Sequence, residues 1–250
     1  MVRQIDGNNR LLRQFFGWLL LLIMATLATA CGLPQVHSSA RQSVLSLAPG
    51  DLEKYGLAFI TPATVTGQEE DKQTVALDFT DVLKEERPQV RCVTLPETLS
   101  AINKAGLADE YRSMFNDYQQ AGIFNKEILR KIGEVINTRY IAQLKLSDFN
   151  QRSNDRFSIF GLRVVETHHA GIRLFLQIWD SQKGTIVWEG VEELNRAEDA
   201  ITEANVTLRT VLEEAAQKMV ARLPEPASEG SPAPSLANGG KVGSELTHEQ

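Results

Sequence analysis

Apolar residues recur at helical spacing in several segments of the chain. Over Lys126 to Asn137 they fall one, four, seven and eight places after the first, which predicts an amphipathic helix; they are Ile128, Leu129, Ile132, Val135 and Ile136. The same spacing predicts a closing helix from about Asp199 to Arg222 and an earlier helix, opened by the acidic QEED, that ends before Pro88.

Strand-like segments alternate with these helices. A short strand YGLAFI and a strand around Cys92 come first, followed by helices from Pro96 and from about Leu107 to Gln120. A strand over Tyr140 to Leu146 then leads through a turn at RSNDR to the strand FSIFGLRVVE, and a second turn spans His168 to Gly171. We expect an α/β (α+β) domain: a mixed, largely antiparallel sheet of about five to six strands covered by helices.

The stretch IRLFLQIWDSQKGTIVWEG reads as a β-hairpin. Gly184 supplies a positive φ, and Asp180 accepts hydrogen bonds from amides of the turn. A bulge at the turn would build one apolar face from Leu174, Leu176, Ile178, Ile186 and Trp188. Trp179 and Trp188 are then core residues, and the alternative is a platform for a sugar.

The amino-terminal residues resemble a lipoprotein signal peptide over residues 1–30. Arg3, Arg10 and Arg13 precede an uncharged run that is shorter than the ~20 residues of a membrane span, and the run ends in LATAC at Cys31. The resemblance to the bacterial lipobox, with the Leu one place early, implies cleavage before Cys31 and lipid, including palmitate, on that residue. The alternatives are an uncleaved signal anchor and a secreted protein with a chance Cys. Gly32 after the Cys favours an outer-membrane lipoprotein that faces the periplasm.

The remaining regions differ in composition. We expect a lipidated tether over 31–50, one domain over 51–223, and a disordered tail over 224–250 that is rich in Pro, Gly and Ser. Loss of residues 1–30, with three Arg and one Asp, takes the formal charge from -6 to -8. An acidic chain does not favour nucleic acid as a partner.

The sequence contains no recognisable catalytic constellation. Cys92 is a lone thiol once Cys31 carries lipid, so a buried inert Cys is expected, with an intermolecular disulfide as the alternative. His168 and His169 are adjacent and, if extended, point to opposite faces, and no carboxylate at ligand spacing accompanies them. We therefore expect no enzyme, no metal and no cofactor; the site is a surface.

The order of these pieces looks like the small α/β domain shared by the TolB amino-terminal domain, the curli secretion lipoprotein CsgG and the activator LpoB. The matching stretches are GLAFITPA, VRCVTLPETL, EILRKIGEVINTRYIAQLKLSDF and RLFLQIWDSQKGTIVWEG, within roughly Leu57 to Leu223. The resemblance implies a protein that binds partners or assembles in the envelope without covalent catalysis. A curli-type pore needs two membrane hairpins per subunit, and only Arg156 to Glu166 has a suitable length, with apolar residues on both faces.

The expected function is that of a non-catalytic envelope lipoprotein that binds another envelope protein or scaffolds a complex. One alternative is a CsgG-like secretion or transport component that forms a ring. The chain would then be a homo-oligomer. A second alternative is an unrecognised envelope hydrolase, which requires a pocket with two mutually hydrogen-bonded polar side chains of shifted acidity.

The prediction for Cys31 concerns where the protein partitions. Replacing the signal peptide by that of a soluble protein and Cys31→Ser together remove the acyl chains, each of whose buried methylenes contributes ~0.8 kcal/mol to membrane binding. We expect this variant in the periplasmic fraction with unchanged thermal unfolding, while the wild type incorporates labelled palmitate and stays with membranes. A wild type without label, or membrane retention of the variant with no partner to explain it, would contradict the lipobox interpretation.

Overall fold

The structure is a computed structural model, and it describes residues 35–159, 162–200 and 206–226 of the 250-residue chain. In these ranges a sheet of seven strands contains β1 (Gln35–Val44), β2 (Leu57–Phe59), β3 (Ala63–Thr64), β4 (Cys92–Val93), β5 (Tyr140–Ile159), β6 (Leu162–Asp180) and β7 (Thr185–Ala200). The six helices of the same ranges are α1 (Asp51–Tyr55), α2 (Glu69–Glu86), α3 (Leu95–Lys104), α4 (Ala108–Ala121), α5 (Lys126–Val135) and α6 (Leu208–Val220).

The strands form one mixed sheet in the order β1-β7-β6-β5-β2-β4, and β3 also pairs with β5. The pairs β1/β7, β7/β6 and β6/β5 are antiparallel, whereas β2 pairs in parallel with β4 and β5. The expected α/β class with a mainly antiparallel sheet is confirmed, although the strand number exceeds the expectation. No helix in the described ranges combines the length and apolar composition needed to cross a membrane.

Alternation along the strands divides the core into two layers. In β2, Leu57 and Phe59 face one layer, whereas Ala58 and Ile60 face the other. The first layer lies against α2 and α6 and holds Phe79, Leu83, Leu212, Ala216 and Met219 from those helices. The second lies against α3, α4 and α5 and holds Ile102, Met114, Leu129 and Ile132. Both faces of the sheet are therefore buried at its β2 end.

Side-chain caps mark the start of two predicted helices, α5 and α3. The Asn125 side chain accepts hydrogen bonds from the backbone N–H of Glu127 and Ile128, at 3.0 and 3.2 Å, which fixes the start of α5. At the start of α3, Thr94 and Glu97 form a reciprocal capping box. Gly122 at the end of α4 has a φ of 70°, which a left-handed C-cap requires.

The two turns predicted inside the long strands are wrong. RSNDR lies within β5 and residues 168–171 lie within β6, so two long paired strands replace the three shorter strands predicted over the same part of the chain. Polar residues and Gly171 suggested a turn, but a Cβ atom at Gly171 would lie 2.6 Å from Asn195 Oδ1 and 2.9 Å from Asn150 Nδ2. Gly171 therefore makes room for two amide side chains within the ladder. Because β5 and β6 have 20 and 19 residues, the statement that only Arg156 to Glu166 is long enough is also wrong.

The two ends of the domain also differ from the expectation. Residues 35–44, placed in the polar tether, form β1, and Leu47 is buried in the first layer. All the side chains of β1 are exposed, so no apolar pattern marked this strand. The closing helix does not begin at Asp199, because β7 continues through Ala200 by pairing with β6; it begins after Thr207, whose side chain caps Thr210 N–H.

A close contact between α5 and the hairpin turn gives a stability prediction. A Cβ atom at Gly133 would lie 2.3 Å from Ser181 Oγ, so Gly133→Ala forces the two segments apart. We expect a loss of about 1–3 kcal/mol in the free energy of unfolding, which exceeds the gain in helix propensity of about 1 kcal/mol.

Chemical denaturation of three variants measures this effect. Lys131→Ala, at an exposed position of the same helix, is the matched control and should be close to wild type. The double variant Gly133→Ala/Ser181→Gly should regain part of the stability lost by Gly133→Ala, because the clashing side chain is gone. Additive losses in the double variant would contradict this explanation.

Candidate binding surfaces

Asp180, the last residue of β6, accepts hydrogen bonds from Arg139 and from the hairpin turn, and we call this group of contacts the Arg139–Asp180 joint. Its Oδ2 accepts from Nε and Nη2 of Arg139 at 3.1 and 2.7 Å, and its Oδ1 accepts from the backbone N–H of Gln182 and Lys183 at 3.0 and 3.2 Å. Gly184 has a φ of 69°, as the turn requires. The interpretation of this stretch as a hairpin, with Asp180 bound to turn amides, is confirmed.

The joint holds both of its ionisable groups in their charged forms. Burial alone raises the pKa of Asp180, but the hydrogen bonds from Arg139 and the two amides outweigh burial, so the net pKa is lowered. The hydrogen bond to Asp180 likewise raises the pKa of Arg139, against the effect of desolvation. The Arg139 guanidinium also lies over two aromatic rings, with Cζ 4.9 Å from the centroid of Tyr55 and 5.4 Å from that of Tyr140.

A cavity of about 600 Å³ opens beside this joint. It lies where β5 begins, between α1, α5 and the hairpin turn. Its lining residues are Lys54, Tyr55, Arg91, Arg130, Gly133, Glu134, Asn137, Thr138, Arg139, Ser181 and Gln182. Cations dominate the charged residues of this lining, although the chain as a whole carries a formal charge of -6.

Two of the four cations have carboxylate partners. Arg139 pairs with Asp180, and Arg130 pairs with Glu134 and, at 3.6 Å, with Glu127. Arg91 donates instead to neutral acceptors, namely the Thr138 hydroxyl at 2.8 Å and the Asn137 carbonyl.

Lys54 Nζ lies 4.9 Å from the centroid of the Tyr55 ring. No ion pair joins Lys54 or Arg91 to a carboxylate of the described residues. Contact with Lys54 lowers the pKa of the Tyr55 hydroxyl, and the charge of Arg139 adds to this effect. Lys54 and Arg91 therefore contribute positive charge to the lining that no ion pair among the described residues neutralises.

The cavity partly meets the criterion set for a hydrolase. Arg139 and Asp180 are hydrogen-bonded and have shifted pKa values, but the shifts stabilise the ionised form of each group. A general acid or base must exchange a proton near neutral pH, and these shifts move both groups away from that range. The pair therefore stabilises the fold and contributes fixed charges, and it is not suited to proton transfer.

The other residues singled out from the sequence lie apart from this cavity. His168 is buried and His169 half-buried at adjacent positions of β6, so their side chains point to opposite faces as expected for an extended segment. Among the described residues no group of three His, Cys, Asp or Glu side chains could hold a metal ion. Burial raises the pKa of the half-buried Cys92 thiol to about 11, which makes it a poor nucleophile.

The two tryptophans are core residues, as predicted. Trp188 lies in the first layer opposite Ile178, while Trp179 lies in the second layer, with its ring 5.0 Å from that of Phe124. One detail is wrong: Ile186 packs against the second layer and does not share a face with Trp188. The cause is a register shift between Ile178 and Trp179: these two residues pair with Trp188 and Ile186, so Val187 is an extra residue in β7 and lies with Trp188 in the first layer.

A second surface is the outer edge of β1. This strand pairs with β7 on one side, and no strand of the described ranges pairs with its other side. All ten of its residues are exposed, and Arg41 is the only Lys, Arg, Asp or Glu among them. Val44 and Leu45, at the end of the strand, are 51% and 59% exposed.

The sequence did not predict either surface. The cavity takes one cation from each of four separate segments, at Lys54, Arg91, Arg130 and Arg139, and no motif links them. The β1 edge lies in a stretch that reads as a tether. Cys31, the predicted lipidation residue, lies outside the described residues, as do 227–250 of the predicted tail.

Comparison with known proteins gives similarity of fold. No protein-family model matches the chain, and no curated protein sequence matches it. Similar solved structures include the PelC dodecamer from Paraburkholderia phytofirmans, at 10% identity and a TM-score of 0.45, covering 76% of this chain and 99% of that one.

Two further structures are similar. The lipoprotein GNA1162 from Neisseria meningitidis is 13% identical with a TM-score of 0.33, covering 67% of this chain and 98% of that one. The LpoB C-terminal domain from Salmonella enterica is 13% identical with a TM-score of 0.30, covering 55% of this chain and 81% of that one. The resemblance to LpoB expected from the sequence is confirmed, and it concerns the fold alone.

The Asp180 joint predicts a pH-dependent contribution to stability. Because the pKa of Asp180 is lower in the folded than in the unfolded chain, its contribution is complete above the unfolded value of about 3.9 and is lost as pH falls through the folded value. Asp180→Asn should reduce the free energy of unfolding by about 2 kcal/mol at neutral pH.

Denaturation of both proteins across the pH range tests the sign. The difference between wild type and Asp180→Asn should be constant between about pH 5 and pH 8 and should shrink below about pH 4. Asp117→Asn, at an exposed position of α4, is the control and should change stability little at any pH. A difference that widens on acidification would show that the pKa of Asp180 is raised instead.

Proposed function

We propose that this chain is a lipid-anchored, non-catalytic protein of the bacterial envelope that binds another envelope protein through the free edge of β1. The observation that carries the proposal is this edge: ten exposed residues with a single Lys, Arg, Asp or Glu side chain, paired on one side only within the described ranges. The resemblance to a lipobox at Cys31 supports the proposed lipid anchor. The Arg139–Asp180 pair, in which both groups are held in their ionised forms, supports a non-catalytic role.

An edge strand of this kind favours pairing with another chain. Its outward N–H and C=O groups form a ready template for a further strand, and proteins that avoid such pairing shorten the edge or place charges or Pro in it. β1 is longer than the usual strand of about 5–6 residues and contains no Pro. Addition of an extended segment to a sheet edge is a common mode of protein recognition.

The position of β1 would keep this edge near the bilayer. If Cys31 carries the lipid, only three residues lie between it and the start of β1 at Gln35. The four Cα–Cα steps from residue 31 to residue 35 span at most about 14 Å. The edge would therefore meet partners at the membrane surface, and the mobile tether of about twenty residues expected from the sequence is not needed.

Site-specific crosslinking in intact cells tests the proposal. A photoreactive residue at Ser39, in the middle of β1, should give one specific adduct with an envelope protein. The same residue at Gln119, an exposed position of α4, is the matched control and should not give that adduct. Expression level and membrane fraction of both variants should equal those of the wild type.

Three outcomes separate the alternatives. A specific adduct with another protein at Ser39 alone supports the proposal. An adduct of two copies of this chain would favour self-association, which particle imaging for rings and single-channel recording then examine. Absence of any specific adduct along β1 under several growth conditions would contradict an edge-binding function.

A further inference from the structure

The cavity beside the Arg139–Asp180 joint has uncompensated positive charge on one wall. Arg130 and Arg139 are neutralised by Glu134 and Asp180, whereas Arg91 and Lys54 have no ion pair with the described carboxylates. Of the two acidic residues of α1, Glu53 pairs with Arg87 at 2.6 Å, and Asp51 accepts hydrogen bonds from the Tyr140 hydroxyl at 2.8 Å and from Ala48 N–H at 3.1 Å. Its oxygen Oδ2 is thereby already used inside the fold.

The Arg91 side chain is held in place before any ligand arrives. Its guanidinium donates to Thr138 and Asn137, and it passes over Gly56, where a Cβ atom would lie 3.3 Å from Arg91 Nε and 2.9 Å from Arg91 O. Gly56 has a φ of 74°, so a glycine at this position allows both the positive φ and the close approach of Arg91. A side chain held in place in this way loses little conformational entropy when a ligand binds.

The cavity is larger than a single small ion requires. The volume of about 600 Å³ falls within the range of about 300–1,000 Å³ of sites for small organic ligands. A guanidinium and an ammonium group suit carboxylate or phosphate oxygens, the guanidinium through two parallel hydrogen bonds. The Tyr55 ring, which both Lys54 and Arg139 contact, adds a flat apolar surface to the lining of the cavity.

We propose that this cavity binds a ligand with two anionic groups, carboxylate or phosphate, one held by Arg91 and the other by Lys54. The proposal does not depend on the edge of β1, because the cavity lies at the end of the sheet where β5 begins and contains no residue of β1. The lowered pKa of Tyr55 agrees with the positive potential at this wall.

Calorimetric titration of the purified protein in a neutral detergent tests the proposal at low salt. The probes are a tetraglutamate peptide for carboxylates, sodium triphosphate for phosphates, and a tetraglutamine peptide as the uncharged control. At least one anionic probe should bind with one site per chain, and its affinity should fall as salt is added. Binding of tetraglutamate alone or of triphosphate alone identifies the ligand class.

Matched variants locate the site. Arg91→Gln and Lys54→Gln should each weaken binding by about tenfold, the equivalent of one charge-assisted hydrogen bond of about 1.4 kcal/mol. Arg112→Gln removes the same charge from a surface of α4 remote from the cavity and should leave the affinity unchanged. Because Lys54 is exposed, Lys54→Gln remains decisive if Arg91→Gln unfolds the domain.

Two results would overturn the inference. One is failure of both anionic probes to bind more tightly than tetraglutamine. The other is an equal loss of affinity in Arg112→Gln and Lys54→Gln, which would mean that the probes respond to surface charge in general.

Discussion

The rest of the structure depends on the ion pair between Arg139 and Asp180. This pair fixes the end of the sheet where β5 begins and β6 ends. Burying a carboxylate costs several kcal/mol unless its oxygens are bonded, and the side chain of Asp180 is 1% exposed. Four hydrogen bonds, two from Arg139 and two from turn amides, offset this cost. A further bond from Ser181 N–H to the Arg139 carbonyl, at 2.9 Å, ties the turn to the start of β5.

This joint sets the register from which both core layers follow. Tyr140 pairs with Asp180 at the start of the β5/β6 ladder, and the ladder continues along the full length of the hairpin. Regular alternation along β6 places Ile178 in the first layer and Trp179 in the second. The register shift at this point leaves Val187 as an extra residue in β7, so Trp188 lies in the first layer and Ile186 packs against the second. The same joint borders the cavity, and because Asp180 neutralises Arg139, the positive charge without an ion pair in the lining belongs to Lys54 and Arg91.

The sequence predicted those parts of the fold that leave a local pattern. The apolar spacing of α5, the capping residues of α3 and the turn chemistry of Asp180 and Gly184 depend on neighbours within a few residues. β1 was missed because its stability depends on pairing with β7, about 150 residues away, and it buries no side chain. The continuity of β6 through Gly171 was missed because the room at that glycine is filled by Asn150 and Asn195 from the neighbouring strands. The cavity was missed because its cations come from segments that only the folded chain brings together.

A double-mutant cycle on Arg139→Gln and Asp180→Asn tests this account most directly, because it isolates the energy of the interaction from the effects of the single substitutions. The free energies of unfolding of the wild type, the two single variants and the double variant are measured by chemical denaturation at neutral pH. The account predicts a coupling energy of at least about 1.5 kcal/mol, as for a hydrogen-bonded pair in which one charge is fully buried. A coupling energy of about 0.3 kcal/mol or less, the range of independent sites, would contradict it.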